Sequence, residues 1–245
     1  MANQGAEECR PMSGLVRGGA IAAMILVLAT PGRAAEPVTR IDVYVTPYFA
    51  AAATPDGKPT VAVGESFNTL LASNRSEDIV AARDLIEQQP DRVTPMTMMV
   101  LAIRLYDLGR RDDAVFWFYV AKGRYITLAS VIDIGAAGLA EVDAAMGAFV
   151  QLAGPVINGY AFCDVDRQQA AHAASIDWVE AHPYAVVFMD RLPARPGDRE
   201  DNLAAAVADL RARAAKESAY LADPKNLSDL KAKRQENEAD AKFCW

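Results

Sequence analysis

Thr94–Thr127, TPMTMMVLAIRLYDLGRRDDAVFWFYVAKGRYIT, is the stretch of the chain with the clearest helical pattern. Pro95 suits the first turn of a helix, where a missing backbone N–H costs nothing. Gly109 suits the left-handed residue that often follows a helix. Between them, apolar residues recur at intervals of three and four and so share one helix face: Met98, Leu101, Ala102, Leu105 and Leu108.

A second helix is predicted directly after Gly109. Asp112 and Asp113 place negative charge in its first turn, where the helix dipole favours it. Its apolar face then contains Ala114, Val115, Phe116, Trp117, Phe118, Tyr119 and Ala121. Two packed antiparallel helices therefore form the centre of a mainly all-α fold. We expect either a helical-hairpin array or an irregular helical bundle, with a short β-like arm at the N-terminal side.

The hairpin at residues 95–128 resembles a single tetratricopeptide unit, or the related Sel1-like unit. The matching positions are the large-then-small pair, the turn glycine and the second-helix contacts: Leu101, Ala102, Gly109, Ala114, Phe118 and Ala121. Trp117-Phe118, ahead of Ala121, resembles the WY-x-x-A segment of Sel1 repeats. Small residues matter at such positions because two helix axes approach closely only where side chains are short.

The chain departs from this repeat pattern in three respects. Leu105 replaces the usual tyrosine of the first helix, Met98 occupies the usual tryptophan site, and no proline closes the second helix. The resemblance covers about one repeat, whereas a solenoid needs about three. It implies a scaffold that binds proteins. The alternative is an ordinary helical hairpin that shares the spacing.

Residues 1–35 match a secretory signal peptide. Two arginines precede the apolar run GGAIAAMILVLA at residues 18–29, and small residues precede the expected cleavage point. The apolar run is shorter than the roughly 20 residues that a membrane-spanning helix needs. We therefore expect cleavage near Ala34 or Ala35 and a periplasmic or secreted mature chain without a stable membrane span.

The charge of the chain limits the classes of partner. The sequence has 25 basic and 32 acidic residues, a net charge of −7, and removal of residues 1–35 takes away three basic and two acidic residues to leave −8. Nucleic acids and anionic membranes attract basic surfaces, so neither is an expected partner. A protein with a basic surface would suit this charge.

Two cysteines, Cys163 and Cys244, remain after removal of the signal peptide. In an oxidising compartment, such a pair predicts a disulfide. Neither cysteine has a Cys or His at metal-ligand spacing, so we expect no metal site. Two unpaired thiols are the alternative, and they would leave Cys163 available as a nucleophile.

The rest of the chain divides into three parts by composition. Residues 36–65 form the β-like arm, in which Ile41–Val45 alternates like a strand and Thr60–Val63 could pair with it as a small hairpin or lie extended. Residues 66–222 form a helical domain, and residues 223–245 form a polar C-terminal helix or tail. Within the helical domain, Gly154-Pro155 is expected to break a helix.

The predicted loop Asn158–Asp166 is the best candidate for a binding surface. Asn158, Tyr160 and Asp164 supply an amide, an aromatic hydroxyl and a carboxylate there, and loops with such groups often bind ligands or partners. Trp117 and Tyr119 on the hairpin complete our set of possible partner-binding residues. The alternative is a tight turn with Tyr160 packed inward.

No catalytic, cofactor-binding or metal-binding residues are predicted. His172 and His182 are the only histidines, and their positions inside and at the end of a helix favour structural roles. The chain contains no phosphate-binding glycine motif, no G-x-S-x-G and no H-E-x-x-H.

The sequence therefore favours an exported, non-enzymatic helical module that binds another protein in a bacterial-type cell envelope. An immunity or inhibitor protein against an envelope-acting toxin is one alternative. An envelope hydrolase that uses the Asn158–Asp166 segment is the other.

Overall fold

Helices account for most of the chain in the computed structural model, which describes residues 35–46 and 60–245 and the side chains of residues 35–43 and 63–245. The predicted signal sequence lies almost wholly outside the described residues. The α-helices are α1 Asn68–Ala72, α2 Ser76–Gln88, α3 Pro95–Asp107, α4 Arg111–Val131, α5 Ala140–Ala161, α6 Val165–Ala181, α7 Arg199–Ala222, α8 Pro224–Glu236 and α9 Ala239–Phe243. Short 3-10 helices are Glu65–Phe67, Pro90–Arg92 and Ala185–Phe188. The mainly all-α prediction is confirmed.

The central hairpin consists of α3 and α4, as its periodicity predicts. Thr94 caps α3, since its hydroxyl accepts a hydrogen bond from the Thr97 N–H at 3.1 Å. Gly109 ends the turn with a φ of +80°, in the left-handed region that favours glycine. Asp112 and Asp113 lie in the first turn of α4.

Helix α4 is the centre of the fold because it packs against α3, α5, α6 and α7. Helices α5 and α6 follow one another in the chain, but α6 packs mainly on α4 and makes few contacts with α5. A repeat array would instead pair them as the next hairpin. The described helices thus form an irregular bundle, and the tetratricopeptide or Sel1-like resemblance stays a prediction for one unit.

A buried arginine joins three parts of this bundle. Arg124 on α4 donates to the carbonyl oxygens of Val93 at 2.9 Å and His182 at 2.7 Å, and also to that of Pro90. Its guanidinium lies about 5 Å from the ring centroids of Trp178 and Tyr184. Burial lowers the pKa of Arg124 to about 10. Sequence reasoning missed this role because arginine is normally a surface residue.

The N-terminal arm contains two short strands, β1 Tyr44–Thr46 and β2 Thr60–Ala62. They pair in parallel, with Tyr44 opposite Thr60, so the arm is not the antiparallel hairpin that we considered. The arm lies against α3, where the Ile41 N–H donates to Asp107 at 2.7 Å and the Tyr106 hydroxyl donates to the Val38 carbonyl at 2.9 Å.

Helix α5 passes through Gly154-Pro155 without a break, so the predicted helix end there is wrong. Pro155 has no N–H to donate to the Gln151 carbonyl, but both residues lie on the exposed face of α5, so that carbonyl is not buried without a partner. The opposite face is anchored by Met146, Phe149, Ala153 and Ile157, which are buried.

Among the residues that the structure describes, α5 alone has the length and composition of a membrane-spanning helix. That property is weak support for a span, because it rests on length and composition only. The absence of a stable span in the mature chain therefore stays a prediction.

Candidate functional site

The end of α5, the start of α6 and the C-terminal segment meet at one place on the bundle. The predicted disulfide is present here: Cys163 and Cys244 are bonded, with 5.6 Å between their Cα atoms, across a sequence separation of 81 residues. The predicted loop Asn158–Asp166 is wrong as a loop. Its first residues complete α5, Asp166 lies in the first turn of α6, and the turn itself is only Phe162–Asp164.

Noncovalent contacts also hold the C-terminal segment on the bundle. A Cβ atom at Gly159 would lie 2.6 Å from the Phe243 ring, so the ring fits only because this helical position is glycine. The Trp245 ring lies 3.6 Å from the Arg111 guanidinium, which also donates to the Trp245 carbonyl at 2.9 Å. Gly159, which belongs to a turn signal Asn158-Gly159 in the sequence, therefore allows the C-terminal segment to pack on α5.

We predict that Gly159→Ala displaces the Phe243 ring and loosens the C-terminal segment, which hydrogen exchange of residues 239–243 would measure as at least a tenfold loss of protection. The matched control is Gly147→Ala on the same helix, where a Cβ atom meets nothing within 4 Å. The control should raise the free energy of unfolding by about 0.5–1 kcal/mol through helix propensity alone. Unchanged protection in the Gly159 variant would contradict the packing described here.

A small pocket of about 60 Å³ opens beside Cys163. Its floor is apolar, formed by Val115, Ala161 and Ala171. Charged and polar groups from three helix ends surround it: Asp112, Tyr160, Asp164, Arg167 and Gln168. A pocket of this size accommodates a small side chain or a few water molecules.

Arg167 bridges the two carboxylates at the mouth of this pocket. It contacts Asp112 at 3.0 Å and Asp164 at 3.2 Å, while the Tyr160 hydroxyl donates to Asp112 at 2.9 Å. Hydrogen bonds to Asp112 and Asp164 raise the pKa of Arg167. The Arg167 backbone N–H, which Asp164 caps, and the Arg167 side chain lower the pKa of the Asp164 carboxyl. The Asp164 carboxylate is thus charged and paired near neutral pH.

An open groove of about 1,000 Å³ lies on the other side of Cys163, between α6, α7 and α8. Its apolar lining includes Phe162, Val165, Leu221, Leu227 and Leu230. Its charged lining consists of Asp164, Asp166, Lys231, Arg234 and Asp240. Cys163 and Cys244 both line the groove and are both exposed. We call this concavity the disulfide groove.

Two of the five predicted partner-binding residues, Tyr160 and Asp164, come together at the small pocket. Asn158 instead turns inward, where its side-chain oxygen accepts from the Tyr119 hydroxyl at 3.0 Å. Trp117 and Tyr119 are only 2% and 7% exposed, so the structure does not support them as contacts for a partner. Helix α4 is covered on several sides, and its aromatic residues are therefore core residues.

A buried polar network lies behind the site. Gln168 donates to the Tyr119 hydroxyl at 3.0 Å and to Glu217 at 2.9 Å, and the His172 ring stacks on Tyr119 with 4.7 Å between centroids. Burial raises the pKa of Tyr119 to about 12 and lowers the pKa of His172. His172 and Glu217 remain 3.9 Å apart. This packed arrangement agrees with the structural role predicted for His172.

Several reactive groups beside the disulfide are already engaged. Cys163 is bonded to Cys244, and the carboxylates of Asp112, Asp164 and Asp240 are paired with Arg167 or Arg234. Within the described residues, no group of three or more His, Cys, Asp or Glu side chains is placed to hold a metal ion.

Sequence reasoning missed the arginines of this site. The spacing of Arg167, three residues after the cap Asp164, was the one local signal available. Arg111 contacts Trp245 and Arg234 contacts Gly159 and Cys163, all of them far away in the sequence, so no local pattern could identify these two arginines.

Comparison with known proteins shows a relative of unassigned role. The chain is 36% identical over 222 residues to a Haemophilus influenzae protein that is described only as an uncharacterized protein, and the alignment covers 90% of this chain and 85% of that protein. No family model matches the chain, and no solved structure matches it.

Proposed function

We propose that this chain, which belongs to the same family as the Haemophilus influenzae protein, is an exported helical protein that binds another protein through the disulfide groove. The observation that carries this proposal is the groove itself. At about 1,000 Å³ it is large enough for a peptide segment, and it combines an apolar lining with charged residues at its edges. A hydrolase is less well supported, since Cys163 is held in the disulfide and the carboxylates of Asp112, Asp164 and Asp240 are paired with arginines.

Export is part of the proposal, and the disulfide supports it. Disulfides persist in oxidising compartments such as the bacterial periplasm, so the Cys163–Cys244 bond is consistent with an extracytoplasmic location. Mature protein recovered from an envelope fraction should begin near Ala35 or Glu36. A soluble cytoplasmic chain that retains residues 1–34 would refute the export step.

The charges around the groove favour a basic partner segment. Asp164 is paired with Arg167 at 3.2 Å and Asp240 with Arg234 at 2.8 Å, so Asp166 is the described carboxylate of the lining that is left to contact a basic side chain. The whole chain is acidic as well, with a net charge of −7. A segment with apolar side chains for the leucines of α8 and a basic side chain for Asp166 would complement this surface.

A photo-crosslinking residue tests the groove directly. We would place it at Lys231, inside the groove, and as a control at Lys216, an exposed position of α7 outside the groove. The groove position should yield one crosslinked partner in intact cells, and Asp166→Lys should reduce that yield several-fold. Equal crosslinking from both positions, or none from Lys231, would overturn the proposed binding surface.

The charge change needs its own control. Asp190→Lys makes the same substitution at an exposed residue outside the groove and should leave crosslinking from Lys231 unchanged. A reduction in both charge variants would indicate long-range electrostatics rather than a contact at Asp166.

A further inference from the structure

The disulfide lies in an unusual chemical environment for a bond that only braces the fold. Cys163 and Cys244 are exposed and face the groove, so an external thiol has access to the sulfur atoms. The Arg234 guanidinium lies 3.1 Å from the Cys244 sulfur and 3.5 Å from the Cys163 sulfur. A neighbouring guanidinium stabilises a thiolate and so makes the corresponding cysteine a better leaving group.

Arg234 is held firmly in this position. Its side chain is 11% exposed, and it donates to the Gly159 carbonyl at 3.1 Å and to Asp240 at 2.9 Å. Asp240 opposes the effect of Arg234, because its carboxylate oxygen is 3.5 Å from the Cys244 sulfur. Arg234 and Asp240 therefore act on the Cys244 sulfur with opposite charge. Removal of one charge should change the rate of disulfide reduction in the opposite direction to removal of the other.

The attachment of α8 and α9 to the bundle depends strongly on this disulfide. Helices α8 and α9, both fully described, contain no buried residue. Besides the disulfide, the last residues are held by the Phe243 and Trp245 contacts and by one backbone hydrogen bond, from the Val38 N–H to the Lys242 carbonyl at 2.8 Å. Loss of the covalent bond thus leaves a surface segment with few apolar contacts.

We propose that the Cys163–Cys244 disulfide is a site of thiol–disulfide exchange, at which a dithiol reductant opens the bond and releases α8 and α9 from the bundle. One thiolate of the reductant attacks the Cys163 sulfur, and the electron pair of the S–S bond passes to the Cys244 sulfur beside Arg234. The second thiol of the reductant loses its proton and attacks its own sulfur in the mixed disulfide, which frees Cys163. The reductant becomes a disulfide, and the protein gains two electrons and, once both thiolates are protonated, two protons.

This proposal goes beyond the proposed function and is tested without a binding partner. Reduction of the folded mature protein by dithiothreitol is followed by alkylation of the new thiols and intact mass. Arg234→Gln should slow reduction roughly tenfold, Arg234→Lys should restore most of the rate, and Asp240→Asn should accelerate reduction several-fold. Simple loosening of the segment would instead accelerate reduction in both Arg234→Gln and Asp240→Asn, and that result would overturn the proposal.

Release of the segment has a separate measurement. Hydrogen exchange of residues 224–243 should lose protection after reduction, while that of α4 stays unchanged. The Cys163→Ser/Cys244→Ser variant should show the same exposed segment with or without dithiothreitol. Retention of full protection at residues 224–243 in the reduced protein would overturn the release step.

Discussion

Replacement of Arg104 by leucine should lower the free energy of unfolding by about 3–5 kcal/mol, because it leaves the Asp107 carboxylate buried without its charged partner. The Asp107 side chain is fully buried, and the Arg104 guanidinium lies 3.4 Å from it. Arg104 also donates to the Ser73 carbonyl at 2.6 Å and the Asn74 side chain at 2.7 Å, which ties α3 to the turn before α2. Urea unfolding of the variant measures the cost.

Two comparison variants separate this effect from the loss of apolar packing. Arg83→Leu removes an arginine that contacts the half-exposed Asp84, and we expect it to cost less than about 1 kcal/mol. Arg104→Leu/Asp107→Leu removes both buried charges and should cost less than Arg104→Leu alone. A double variant less stable than the single variant would refute the isolated-charge explanation.

The cost of Arg104→Leu should also depend on pH. Burial raises the pKa of Asp107, and the Ile41 N–H and Arg104 oppose that rise. Without Arg104 the pKa rises further, so the folded variant binds this proton more tightly than the unfolded chain does. Stability of the variant therefore falls as pH increases above about 4, and the cost should be larger at pH 7 than at pH 4. A cost that is equal at both values would contradict this reasoning.

Replacement of Phe118 by alanine should lower the free energy of unfolding by about 3–5 kcal/mol through the cavity that it leaves. Phe118 is fully buried in the main core, and its ring lies 3.7 Å from the place that a Cβ atom at Gly154 would occupy. The expected effect reflects contact between α4 and α5 as well as the α3–α4 hairpin. Thermal or urea unfolding provides the measurement.

Phe116→Ala is the matched control for this variant. Phe116 lies two residues earlier on the same helix and is only partly buried, so its removal should cost much less than that of Phe118. Equal losses of stability from both substitutions would contradict the different burial of Phe116 and Phe118 in the structure.

Local physical chemistry accounts for the parts of the structure that the sequence predicted well. The apolar spacing, the proline at position 95 and the glycine at position 109 act within a few residues of one another, and the boundary between α3 and α4 follows them. Asp198 caps the long helix α7 by the same local chemistry, since it accepts hydrogen bonds from the N–H groups of Glu200 and Asp201. These features do not depend on which helix packs on which.

Other local sequence signals were misleading, because contacts with distant parts of the chain decide the conformation at those positions. Asn158-Gly159 and Gly154-Pro155 are turn signals by composition, yet both lie inside α5. Gly159 is needed for the approach of Phe243 from the other end of the chain, and Pro155 is tolerated on an exposed face. Trp117 and Tyr119 were expected at a binding surface and are buried because several helices surround α4.

The sequence by itself therefore determined the helical class and the central hairpin, and it favoured a bond between Cys163 and Cys244, the two cysteines outside the predicted signal peptide. Only the tertiary structure decided the parallel pairing of the arm, the burial of Arg104 and Arg124, and the two concavities beside the disulfide. The physical reason is the distance along the sequence between the groups that interact. Helix formation depends on neighbours within a few residues, whereas a buried charge or a groove depends on groups that only the folded chain brings together.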